Sequence, residues 1–316
     1  MFFLKTTIRA LLLTSSVTFL GNCNGNTEKS NMPLLLAGIL ASSSLPGIHF
    51  KAMAGSSLLQ CGKDISGHAA FKTNATESFS EGIVRTFHIA EIMPISLKDL
   101  RLYVSNLTLI EADGSETKPT LTADGKWQNT FVTLLDFENL SGDCIGTTDM
   151  NSLIKIPLPN KLYKGIRFEV GVPEEFNHQN PALANSPLNV SGLAWSWAMG
   201  YRFLVAEFVS HDPTANGNTA VFHLGSGGCS MSAPYACSRP NRAVIDLQPA
   251  GGYNPMTQSV KLDLKALVNG WDIRSGNVSC HSESSASCVS LFANLGIDPS
   301  TGNLSGTQSV FSISNE

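Results

Sequence analysis

The chain has 316 residues, of which 15% are charged, and a formal net charge of −4 at pH 7. That length suits one large domain or two small ones. A weakly acidic chain with no long basic run excludes nucleic acid as a partner class, and low charge with abundant Ser, Thr, Asn and Gly suits an exported, turn-rich β protein.

At the N-terminus, Lys5 and Arg9 precede the apolar run "ALLLTSSVTFL", which leads into "LGNC" ending at Cys23. A basic start, a short apolar stretch and a small or polar region before the cut make 1–22 a secretory signal, too short for a permanent span. Leu20, three residues before Cys23, gives the lipobox arrangement of bacterial lipoproteins, with Asn22 departing from its strict small-residue rule. Cys23 is therefore expected to become a lipidated N-terminus that ties the protein to a membrane. Residues 23–47 read as a tether. Their apolar part, "LLLAGILASSSLPG", is shorter than a transmembrane helix needs. The folded domain is expected over 48–316. The expected location is that of an anchored lipoprotein, in the periplasm or on the outer-membrane surface.

With Cys23 set aside, six cysteines remain: Cys61, Cys144, Cys229, Cys237, Cys280 and Cys288. In an exported chain an even count predicts three disulfides. The short spacings favour Cys229–Cys237 and Cys280–Cys288, leaving Cys61–Cys144 as the long-range bond. No C-x-x-C or H-E-x-x-H pattern supports zinc.

Short segments with partial period-2 alternation follow one another: "IVRTFHIAEI" (83–92), "LRLYVSNLTLIEA" (100–112), "FVTLLDFE" (131–138) and "GIRFEVGVP" (165–173). The series continues through "AWSWAMGYRFLVAEFV", "TAVFHLGS" (219–226), "RAVIDLQ" (242–248) and "SVKLDLKAL" (259–267). Turn-forming clusters such as "ADGSET" and "DPTANGN" separate them. Helical patterns are scarce, so an antiparallel β-sandwich with long irregular loops is expected. The longest such loop is 174–191, rich in Pro and Asn, and long loops in compact domains often carry function.

Within "GLAWSWAMGYRFLVAEF", one continuous strand would put Trp195, Trp197, Met199 and Tyr201 on one face. Core packing is the plain explanation of such a stripe. His178, in "FNHQNP", and His223, in "FHLGSGGC", sit in or beside loops. Two imidazoles with a soft group such as Met199 suit copper. His49, His68, His88, His211 and His281 have less distinctive settings. Asp136 and Glu138 alternate at a strand end, where carboxylates are usually solvated. "LGSGGCS" is neither a phosphate-binding loop nor a nucleophile elbow, and catalysis has no support in the sequence.

Taken in order, "LRLYVSNLTLI", "DGKWQNTFVTLLDFEN", "CIGTTDMN", "YKGIRFEVGVPEEFNHQNPA", "SPLNVSGLAWSWAMGYRFL", "FHLGSGGC" and "CSRPNRAVIDL" resemble the MbnP-like proteins of methanobactin operons and related metallo-mystery pair systems. The resemblance spans about residues 48–295, with Gly227 and Ala198 departing from the family's usual Thr and Gln. It implies an exported copper-associated protein, not an enzyme, paired with a di-haem, cytochrome c peroxidase-like (MbnH-like) partner that oxidises a tryptophan to kynurenine. Trp195 and Trp197 are the candidate substrates, and His178, His223 and Met199 the candidate copper ligands. The alternative is a cell-surface β-sandwich lipoprotein for adhesion or protein binding, with no metal.

Overall fold

The computed structural model describes residues 46–65, 75–78, 84–87, 95–196, 198–211, 217–271, 278–282 and 285–315. Cys23, His68, His88 and Trp197 lie outside the described residues, as do the signal and most of the tether. Among the described residues no helix is long and apolar enough to cross a membrane.

The larger sheet runs, edge to edge, through Ala243–Leu247, Gly165–Val170, Ile95–Ile110, Gly200–Ser210, Thr219–Gly225 and Val278–His281. The smaller runs through Phe311–Asn315, Gln258–Asp263, Gly47–Ala54 and Ser57–Leu58. Pairing is mainly antiparallel. Among the described residues the two parallel pairs are Gly47–Ala54 with Gln258–Asp263, and Thr219–Gly225 with Val278–His281. Between the sheets, Phe168 of the larger meets Phe50 and Phe311 of the smaller edge-to-face, each at 5.5 Å between ring centres, a favoured aromatic geometry. The expected all-β architecture is the observed one.

Alternation places Leu100, Leu102, Leu204, Ala206, Phe222 and Leu224 in the core, all nearly inaccessible. The opposite face of the same strands carries Asp99, Arg101, Glu207 and His223. That face is also covered: Asp99 is 1% exposed and His223 5%. Burying so many polar groups requires mutual hydrogen bonding, and this face holds the chemistry described below.

Three disulfides staple the fold: Cys61–Cys144, Cys229–Cys237 and Cys280–Cys288. They are the pairs that spacing favours.

Two sequence expectations need correction. The Trp195–Tyr201 stretch is not one strand but a hairpin, Ala194–Ser196 against Gly200–Ser210. Gly200, at φ +80°, takes the left-handed conformation that lets the chain reverse, so the single aromatic stripe does not form. Tyr201 instead turns fully into the core, its hydroxyl donating to the Leu188 carbonyl at 2.9 Å. Asp136 and Glu138 are not solvated either; both are buried, at 5% and 1% exposure.

Candidate metal centre

The hairpin 194–200 joins two histidine environments. At one end, Asn177 accepts a hydrogen bond from the Tyr201 amide at 3.0 Å, docking the short helix Glu174–Asn177 against Gly200–Ser210. His178 follows immediately, its Nε2 3.7 Å from Cys237 Sγ and 3.6 Å from Glu174 Oε1, its ring stacked near Tyr235. Cys229 Sγ of the same disulfide lies 3.9 Å from the Met199 carbonyl. His178, Met199 and the Cys229–Cys237 loop therefore gather at the hairpin tip.

His223 is elsewhere. It stands opposite Val205 in the ladder, four residues beyond Tyr201 and so roughly 13 Å along the strand. Its Nε2 lies 2.7 Å from Glu207 Oε1. His178 and His223 thus engage different partners, Cys237 and Glu174 for the first and Glu207 for the second, while Asn177 beside His178 reaches Ser226 Oγ at 3.3 Å, three residues beyond His223.

What it does bring to His223 is a set of residues on the same face. Glu207 bridges His223 and Lys98, whose Nζ is 2.8 Å from Oε2. The His223 hydrogen bond, followed by that of Lys98, holds the Glu207 carboxyl down at about 2, so it is ionised at neutral pH. His223 Nδ1 is buried with no hydrogen-bond partner among the described residues. Two residues along the strand, Gly225 supports Trp195: a Cβ on Gly225 would lie 2.5 Å from the Trp195 ring. The Arg202 guanidinium also lies over that half-buried indole, 5.7 Å from the ring centre. His281, paired in register with His223 on the neighbouring strand, puts its ring centre 4.9 Å away.

This arrangement fits a metal ligand. An imidazole that binds a metal through one nitrogen is normally fixed by a carboxylate or carbonyl on the other, which sets its tautomer and orientation. His223 has that carboxylate on Nε2 and an orphaned Nδ1. Among the described residues no three of His, Cys, Asp and Glu converge on one point, so any ion at His223 needs further ligands of another kind.

Beside it, Arg101 pairs with Asp99, at 2.9 Å through Nε and 2.5 Å through Nη2, and lies 3.5 Å from Glu138. Burial, then the Asp99 charge, pushes the Glu138 carboxyl up to about 8, and burial pushes Asp136 up to about 6. Neither Glu138 oxygen has a hydrogen-bond partner among the described residues. A cavity of about 590 Å³ lies beside the 174–191 loop, lined by Gln128, Asn129, Gln179, Asn185 and the stacked rings of Phe131 and Phe176; no titratable group lines it. The remaining tryptophans do not join the centre: Trp127 lies beneath Lys126, and Trp271 is buried in the core.

These features define a disulfide-stapled all-β protein with a carboxylate-held histidine on a strand against which a half-buried tryptophan packs. Compared with protein families, the chain matches MbnP over residues 44–282, most of its length, and it belongs to that family. Among solved structures it is similar to MbnP from Methylosinus trichosporium, with 27% identity and a TM-score of 0.66, covering 85% of this chain and 97% of that one. No curated protein matches it.

Proposed function

We propose that the protein is an exported, lipid-anchored copper-binding accessory protein without catalytic activity, and that a partner di-haem, peroxidase-like enzyme oxidises one of its tryptophans to kynurenine. Membership of the MbnP family supports this reading, and the observation that carries it is His223, with Nε2 held by Glu207 and Nδ1 buried and orphaned, on a strand where Trp195 packs against Gly225 two residues further along. Neutral imidazole suits copper in either oxidation state. An intact indole is a poor ligand because its nitrogen lone pair belongs to the ring. Opening the ring frees an aniline nitrogen and leaves a ketone, both able to coordinate, so Trp195 is the tryptophan whose conversion would complete a site at His223.

A second reading places copper at the hairpin tip, with His178, Met199 and a modified Trp197. It is supported by the Cys229–Cys237 disulfide, which His178 and the Met199 carbonyl both approach. Copper titration of His223→Ala and His178→Ala, in protein purified with its tryptophan modified, separates the two. Loss of affinity in the first alone supports the His223 centre; loss in the second alone moves the ion to the tip. Wild-type protein that binds no copper would leave the adhesive module as the better reading. The anchor is tested apart from the metal: fatty-acid labelling should vanish in Cys23→Ser.

A further inference from the structure

We propose that His281 is the second imidazole of the His223 copper site. This rests on the copper reading above and adds a ligand that the sequence did not single out. His223 and His281 are direct partners in the parallel pair of Thr219–Gly225 with Val278–His281, so their side chains leave the sheet on the same face. Their ring centres are 4.9 Å apart with the planes tilted by 58°. A metal about 2.0–2.1 Å from an imidazole nitrogen lies roughly 3.2 Å from the ring centre, so rings at this spacing subtend about 100° at one ion, an angle suited to tetrahedral or cis coordination.

Both rings are also oriented in the same way. Glu207 engages Nε2 of His223 at 2.7 Å, and Ser279 Oγ lies 2.6 Å from Nε2 of His281. In His223 that leaves Nδ1, buried without a hydrogen-bond partner among the described residues, as the ligating nitrogen. The Cys280–Cys288 disulfide fixes the residue next to His281, and the Ser282 amide donates to the His223 carbonyl at 3.0 Å. His281 is exposed while His223 is buried, so an ion arrives from solvent on the His281 side and is gripped by a rigid ligand beneath.

The test uses mature protein from its native host, titrated with Cu(II) and followed by electron paramagnetic resonance. His281→Ala should weaken binding by about ten-fold or more and remove one nitrogen from the ligand hyperfine pattern, with the far-ultraviolet circular dichroism unchanged. In wild type, copper should protect His281 from carbethoxylation. If His223→Ala loses copper while His281→Ala keeps wild-type affinity and nitrogen count, His281 is not a ligand and the copper reading stands. If wild type binds no copper, both fall.

Discussion

Glu207 holds His223 in place: its Oε1 lies 2.7 Å from Nε2, and its other oxygen is tied to Lys98 at 2.8 Å. The carboxylate does two separable jobs, orienting the imidazole and stabilising the fold. Glu207→Gln should lower copper affinity by about 10–100-fold while His223 and the sheet remain. Its folded-state carboxyl is depressed from 4.5 to about 2, chiefly by His223. The stability it supplies is therefore present above about pH 4.5 and lost as pH falls toward 2. Glu207→Gln should be less stable than wild type at pH 7, by about 1–3 kcal/mol, with the gap closing toward pH 2 in denaturant titrations. A gap that is constant with pH would contradict this.

Glu138 runs the other way. Its carboxyl is raised from 4.5 to about 8 by burial and the Asp99 charge, so the folded protein keeps a proton that the unfolded chain releases. Stability then falls as pH rises from about 4.5 to about 8. Asp136, raised to about 6, adds to the lower part of that window, which leaves pH 6–8 to Glu138 together with the neighbouring Asp99, whose carboxyl burial also raises. Glu138→Gln should flatten the stability profile there and gain on wild type as pH 8 is approached. Parallel profiles would show that Glu138 is ionised in the folded state.

Gly225 is the floor under Trp195. Alanine there would put a Cβ 2.5 Å from the Trp195 ring and 2.6 Å from the Tyr201 carbonyl, a distance that forces displacement. Gly225→Ala should shift the tryptophan fluorescence and cut conversion of Trp195 by the partner enzyme, while conversion at Trp197, if it is the substrate, should be less affected. Fluorescence identical to wild type would contradict the packing.

The three disulfides should differ in worth. Cys61–Cys144 closes a loop of 83 residues and each of the others one of 8, which predicts about 4.5 against about 2.5 kcal/mol from chain entropy. Paired Cys→Ala substitution of Cys61 and Cys144 should lower the melting temperature most. Equal losses for all three pairs would argue against an entropic origin.

Much of this was legible in the sequence. Period-2 alternation located the principal strands, since one face of each lies against the core, and the even cysteine count with its short spacings anticipated the staples. The 194–200 hairpin was not legible because its apolar residues continue the alternation straight through the turn, and only Gly200 marks the reversal. The burial of Asp136 and Glu138 was hidden because it depends on Asp99 and Arg101 from a distant strand. His281 gave no signal for the same reason: its partner His223 is 58 positions away in sequence, joined to it only by strand register. His178 and His223 look equivalent in their motifs, yet the fold gives them different partners, Cys237 and Glu174 for one and Glu207 for the other.

The most direct measurement is peptide mass mapping combined with copper titration of the mature protein, produced with and without the proposed di-haem partner. With the partner, one tryptophan, Trp195 at a His223 centre, should carry the kynurenine mass, and copper affinity should rise in the same sample and be lost in His223→Ala. Without the partner, all four tryptophans should stay intact and copper should bind weakly. Tryptophans left unmodified by the partner, or copper affinity indifferent both to modification and to His223→Ala, would contradict the proposed function.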